Sequence, residues 1–189
     1  MFLLKNKYFL IIQNTKDLNL KNIKKYNKFI IIYRNKNNDE NITQIKEFRK
    51  KWKLKSIKFY VANNKDLAIK INADGLYMSA HNRSFKSLFL KNNNFNIIGS
   101  AHNMKEIVFK KNQGCSYILL SKLFLVNYDK KKSFLGTIKF NQISKNTSKI
   151  IALGGIKSQN LNSIRNVNCD GIAILSEVKK KPAIISRLF

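Results

Sequence analysis

Ile150-Ile151-Ala152-Leu153-Gly154-Gly155-Ile156 opens a stretch that runs through Lys157-Ser158-Gln159-Asn160 and ends in Asp170-Gly171-Ile172-Ala173-Ile174-Leu175-Ser176. It reads as strand, glycine turn, short helix and strand. Two apolar runs joined by a helix are the mark of parallel strands covered on both faces. Paired glycines at the exit of such a strand let bare backbone N–H groups approach an anion. A helix N-terminus just beyond adds partial positive charge. In a (β/α)8 barrel the loops after strands 7 and 8 form a common phosphate site. The stretch therefore predicts an architecture and a ligand chemistry together.

The rest of the chain repeats the same unit. Tyr8–Ile12, Phe29–Tyr33 and Ile57–Val61 are compact apolar runs that read as strands. Helical patterns follow each of them, over Asp17–Tyr26, Asp39–Trp52 and Asn63–Ile71. The second of these carries Ile42, Ile45, Phe48 and Trp52 on one side. A weak internal repeat then appears. Ala73-Asp74-Gly75-Leu76-Tyr77-Met78-Ser79 recurs as Cys115-Ser116-Tyr117-Ile118-Leu119-Leu120-Ser121, and again as Cys169-Asp170-Gly171-Ile172-Ala173-Ile174-Leu175-Ser176. Each copy is a small residue, a turn residue, an apolar run and a serine at the strand exit. Phe95–Ser100 is a further strand, Asn103–Asn112 a helix with capping-box spacing between Asn103 and Glu106, and Phe134–Ile143 another helix. Pro182 suits the first turn of a last helix that closes the chain at Phe189.

Eight strands alternating with seven or eight helices fit either an open doubly wound sheet or a closed barrel. Eight units, with glycines after strand 7, favour a (β/α)8 TIM barrel, with helices shortened to fit 189 residues and residues 1–189 forming one domain. No apolar run reaches the length of a membrane span, and the cytoplasm is the expected compartment. Cys115 and Cys169 each precede an apolar strand and read as core thiols. The charge is extreme: 37 Lys and Arg against 10 Asp and Glu, a formal net of +27. Such a field attracts polyanions, nucleic acid included. The lysines are spread through every segment, however, with no nucleic-acid signature of known spacing. Small phosphorylated ligands are the better-supported partners, and a basic nucleic-acid-binding protein is the further alternative.

Five segments in register resemble the thiamine phosphate synthase/TenI family. Ile98-Gly99-Ser100-Ala101-His102-Asn103 is similar to its Gly-x-Ser-x-His segment after strand 5, and Tyr33-Arg34-Asn35-Lys36 to its Leu-Arg-x-Lys after strand 2. Ala73–Ser79, Ala152–Ile156 and Asp170–Ser176 resemble its strands 4, 7 and 8. The resemblance implies a transferase of thiamine biosynthesis. It would join hydroxymethylpyrimidine diphosphate to thiazole phosphate and release pyrophosphate. By the same resemblance Arg34 and Lys36 would grip the diphosphate, with Lys130 standing in for a lysine of the loop after strand 6. Gly154, Gly155 and Ser176 would take the thiazole phosphate. Ser100 would act between the two substrates, so Ser100 and Lys36 are the expected catalytic groups.

The chain also departs from the family pattern. Two acids of the family that hold Mg2+ correspond here to Asn63 and Asn82, whose amide oxygens are weak ligands for a hard cation. A weak, degenerate magnesium site at Asn63 and Asn82 is the expectation. The family's metal-free branch, a thiazole tautomerase, uses a histidine where this chain has Lys122, and a desolvated Lys122 could serve as base. The tautomerase, or a non-catalytic binder of thiazole or thiamine phosphate, is therefore the alternative. His102 reads as a helix-capping or core histidine beside its functional reading, and His81 as a loop residue.

Overall fold

The structure is a computed structural model that describes residues 6–18, 28–35, 37, 39–86, 88, 95–126, 133–147 and 149–175. Lys36, Lys130, Ser176, the closing helix at Pro182–Phe189 and residues 19–26 of the first expected helix lie outside the described residues. Eight parallel strands form a closed barrel in sequence order: β1 (Lys7–Ile12), β2 (Phe29–Tyr33), β3 (Lys58–Ala62), β4 (Gly75–Met78), β5 (Asn96–Ala101), β6 (Tyr117–Ser121), β7 (Ile150–Leu153) and β8 (Gly171–Ile174). Closure is explicit, because β1 pairs in parallel with both β2 and β8. No helix among the described residues is long and apolar enough to cross a membrane.

Strand parity divides the core in two, since successive side chains point to opposite faces. Tyr8, Leu10 and Ile12 of β1 face outward toward the helices, whereas Phe9 and Ile11 face the barrel interior. The same alternation puts Tyr60, Tyr77, Ile98, Leu119, Ile151 and Ala173 inside. The outer layer holds the larger cluster, and each fully buried aliphatic or aromatic side chain there contributes about 1.5–3 kcal/mol of burial.

Four α-helices stand among the described residues: α1 (Ile42–Lys53), α2 (Lys65–Lys70), α3 (Met104–Asn112) and α4 (Gly136–Ser144). Asparagine starts three of them. The Asn41, Asn64 and Asn103 side chains accept from Thr43, Leu67 and Glu106 N–H, satisfying donors that the first helical turn leaves open. The reciprocal arm expected of a capping box at Asn103 differs in detail. The Glu106 carboxylate accepts from the His102 N–H at 2.8 Å, one residue upstream of the cap.

Four expectations are corrected. The helix expected from Asp17 does not begin there, because Thr15–Asp17 is a 3-10 turn capped by Asn14 and Leu18 leaves it extended. In α1 the residue facing inward with Ile45 and Trp52 is Arg49, while Ile42 is exposed. Periodicity favours the isoleucine, but Arg49 reaches Asp74 at 2.6 Å, and Asp74 also accepts from the Phe59 N–H at 2.7 Å. The helix expected from Phe134 begins at Gly136, which leaves Phe134 half-exposed at the strand exits. Finally, no α-helix follows Gly155. Two 3-10 turns, Ser158–Asn160 and Asn162–Asn166, bridge β7 and β8 instead. Asn160 explains part of this: its side chain accepts from the Lys157 N–H and donates to the Gly155 carbonyl, competing with helical bonding.

The internal repeat has a structural meaning. Its turn residue closes a seam each time: the N–H groups of Asp74, Ser116 and Asp170 donate to the carbonyls of Phe59, Ile97 and Ile150. Those carbonyls sit at or near the start of β3, β5 and β7, so a clasp joins β3 to β4, β5 to β6 and β7 to β8.

Candidate active site

A cavity of about 890 Å³ opens at the C-terminal ends of the strands. Its floor is barrel interior, with Ile11, Tyr77 and Ala173, and its rim is made by residues at or just after strand ends. Parallel strands all exit at one end, which is why residues far apart in sequence meet here. Of the residues expected from the sequence, Arg34, Ser100, Lys122, Gly154 and Gly155 line this one cavity. Asn63 lines a neighbouring cavity of about 570 Å³, and Arg34 lines both.

Gly154 and Gly155 have φ of +100° and +67°, a region that side chains resist. They are also crowded. A Cβ on Gly155 would stand 2.5 Å from the Phe124 carbonyl oxygen, and one on Gly154 would stand 3.1 Å from the Lys122 Cα. The Gly154 carbonyl accepts from Phe124 N–H at 3.0 Å, and the Gly155 carbonyl from Asn160 at 2.8 Å. Bare backbone is thus held against the cavity beside Lys122. The helix dipole expected to support an anion at this point is absent from the described residues, since only short 3-10 turns follow.

Sequence reasoning missed Tyr77, Ser121 and Lys139, all of which line the cavity. The Tyr77 hydroxyl is hydrogen-bonded with Ser100. Burial raises its pKa, against the Ser100 hydrogen bond and the positive field of Arg34. Interior parity could have found it, because Tyr77 is the middle of a three-residue apolar run whose neighbours face outward. Among the described residues that line the cavity there is no carboxylate, whereas Arg34, Lys122 and Lys139 are cationic. The balance suits a polyanionic ligand.

His81 and His102 both reach the rim, with ring centroids 6.2 Å apart. His102 Nδ1 stands 3.0 Å from Glu106 Oε2. Burial works to raise the Glu106 pKa, yet the hydrogen bonds and charge of His102, with a further bond from Asn103, hold it below the usual range.

Asn63 and Asn82 do meet, but as partners of each other. Asn63 Oδ1 accepts from the Ser79 N–H at 3.0 Å and from Asn82 Nδ2 at 3.1 Å, which fills both of its lone pairs. Asn82 Oδ1 accepts from the Ser84 N–H at 3.0 Å. Backbone N–H groups can only donate, so both amide orientations are fixed by their surroundings. These amide oxygens are engaged by the chain itself and no carboxylate stands with them, so the pair does not fit a magnesium ion. Among the described residues no group of three or more His, Cys, Asp or Glu side chains could hold a metal.

Thiamine-phosphate synthase of Prochlorococcus marinus is 27% identical over 153 residues, covering 79% of this chain and 44% of that protein. The corresponding enzyme of Clostridioides difficile is 25% identical over 140 residues, covering 72% of this chain and 65% of that protein. The chain spans less than half the length of the Prochlorococcus relatives it matches. The solved structure of thiamine phosphate pyrophosphorylase from Pyrococcus furiosus shares the fold, with a TM-score of 0.72, 17% identity and 97% of both chains covered. The family model described as thiamine monophosphate synthase matches residues 13–178, and the chain with its eight-stranded barrel belongs to that family.

Proposed function

We propose that this barrel couples hydroxymethylpyrimidine diphosphate to thiazole phosphate, as a thiamine phosphate synthase. The carbon–oxygen bond to the diphosphate breaks, and its electron pair leaves with pyrophosphate. The thiazole nitrogen then gives its lone pair to the methylene carbon, forming the C–N bond. Catalysis of this kind needs positioning and charge stabilisation more than proton transfer. One observation carries the reading: Arg34, Ser100, Lys122 and the Gly154–Gly155 backbone, from four different strand exits, line one cavity with no carboxylate among its described residues.

In this reading Arg34 and Lys122 take the negative charge that grows on the leaving group, with Lys36 and Lys130 as further candidates. Gly154 and Gly155, with Ser176, hold the thiazole phosphate. Ser100, fixed from below by Tyr77, lies between the substrates. Incubation with both substrates and detection of thiamine phosphate tests the proposal. Product is expected, and its absence with and without magnesium overturns it.

The engaged state of Asn63 and Asn82 favours a second reading, a tautomerase or a binder of thiazole or thiamine phosphate. That reading predicts heat stabilisation by thiazole phosphate alone and no response to the pyrimidine diphosphate.

A further inference from the structure

Behind the asparagine pair lies a lysine in an unusual place. Lys110 of α3 is fully buried. Its Nζ donates to the Asn82 carbonyl at 2.7 Å and to Gln113 Oε1 at 2.9 Å. The Gln113 amide adds donors to the Asn82 and Ser84 carbonyls at 3.2 and 2.8 Å. Lys110 of α3 and Gln113, which caps that helix at its C-terminal end, therefore grip the backbone of the loop after β4. From the other side, Asn63 grips the same loop through Ser79 and Asn82.

Room for Lys110 comes from β5. A Cβ on Gly99 would stand 2.9 Å from the Lys110 Cδ and 2.8 Å from the Cys115 Sγ, so the lysine stem lies where any larger residue would intrude. Burial pulls the Lys110 pKa below the usual lysine value, while Cys115 and Glu106 act to keep the charge and Arg83 opposes it. The ammonium has no carboxylate within salt-bridge distance among the described residues. It is spent on carbonyl oxygens.

A metal ion at the end of such a barrel would do two jobs. It would hold the loops after β3 and β4 together, and it would bring positive charge to a condensed phosphate. The first job is already done by Asn63, Lys110 and Gln113. The second is done by Arg34, Lys122 and Lys139, which line a cavity whose described residues include no anionic ligand to attract a divalent ion. We infer that the diphosphate end of this cavity is organised by Lys110 of the chain itself in place of a divalent cation, so that it binds a condensed phosphate without magnesium. Lys110 is here a positioning residue that acts through the loop after β4. The inference rests on the reading of the cavity as a diphosphate site.

Calorimetric titration of the whole chain with inorganic pyrophosphate, in EDTA and then with magnesium, tests it. Binding in EDTA that magnesium leaves unchanged or weakens is the expected result. Affinity raised by magnesium overturns the inference while leaving the diphosphate site standing. No binding under either condition overturns the diphosphate reading itself, and the inference with it. A second arm uses Lys110→Met, which keeps an apolar stem and removes the ammonium. Pyrophosphate affinity in EDTA is expected to fall about tenfold, because the loop that Lys110 holds loses its position, while affinity for inorganic phosphate is kept. Equal losses for both ligands, or no loss for either, overturn the role given to Lys110.

Discussion

Tyr77 shows how much a single buried hydroxyl can govern in this cavity. It sits on the floor, hydrogen-bonded with Ser100, in the field of Arg34. Replacing it by phenylalanine keeps the ring and leaves the Ser100 hydroxyl without that partner. Tyr77→Phe is expected to cost about 1 kcal/mol of stability by urea denaturation. It is also expected to weaken pyrophosphate binding several-fold, because a hydroxyl aimed at a ligand loses its fixed orientation. Neither effect was legible in the sequence. Gly75-Leu76-Tyr77-Met78 is apolar throughout, so composition marks out no residue facing the cavity, and only strand alternation, which separates Tyr77 from Leu76 and Met78, bears on it. Arg34 was named for a different reason, the resemblance of Tyr33-Arg34-Asn35-Lys36 to the family's segment after strand 2, and the structure brings it to the same cavity.

At the scale of elements, the N-terminus of α3 joins chemistry to helix formation. Glu106 accepts from the His102 N–H and, with Asn103, closes the first turn. Its folded pKa lies below the ordinary carboxylate value, so the stability it provides is present above the unfolded pKa and is lost as pH falls through the folded one. Wild type is expected to exceed Glu106→Gln by about 0.5–1 kcal/mol at neutral pH, with the gap closing below about pH 4. Thermal unfolding across that range measures it. Helix starts of this kind are readable from sequence because asparagine caps have a local signature. The missing helix after Gly155 was not readable in the same way. Its asparagines bond to nearby backbone and favour 3-10 turns, a competition that hydrophobic spacing does not register. Arg49 was hidden because the pairing that makes it affordable in the core, with Asp74, lies 25 residues away in sequence.

The whole molecule carries a net charge of +27 and collects its basic residues in no single segment. A net positive charge of this size raises the local concentration of any anion and speeds its arrival, while adding little selectivity. Affinity for thiamine phosphate is expected to weaken several-fold as salt rises from about 0.05 M to about 0.5 M, because exposed charges are screened over shorter distances. Isothermal titration at several salt concentrations checks this. Eight alternating units and a glycine pair were enough to foresee a closed barrel, since few architectures bury eight strands on both faces. The candidate site residues came from the glycine pair and from the family resemblance at strand exits, and groups contributed by helices, such as Lys110 and Lys139, lay beyond that reach.

The recurring turn clasp has a consequence for connectivity. Asp74, Ser116 and Asp170 each fasten a strand to its predecessor, which ties β3 to β4, β5 to β6 and β7 to β8 at the ends where the strands enter the barrel. Since β1 lies beside β8, the two ends of this 189-residue sequence could be joined by a linker and the chain opened elsewhere. A cut between β4 and β5 would open the loop that Asn63, Lys110 and Gln113 hold. A cut between β5 and β6 would divide a clasped pair, so the connection between β2 and β3, clear of both, is the better place to rearrange the chain order.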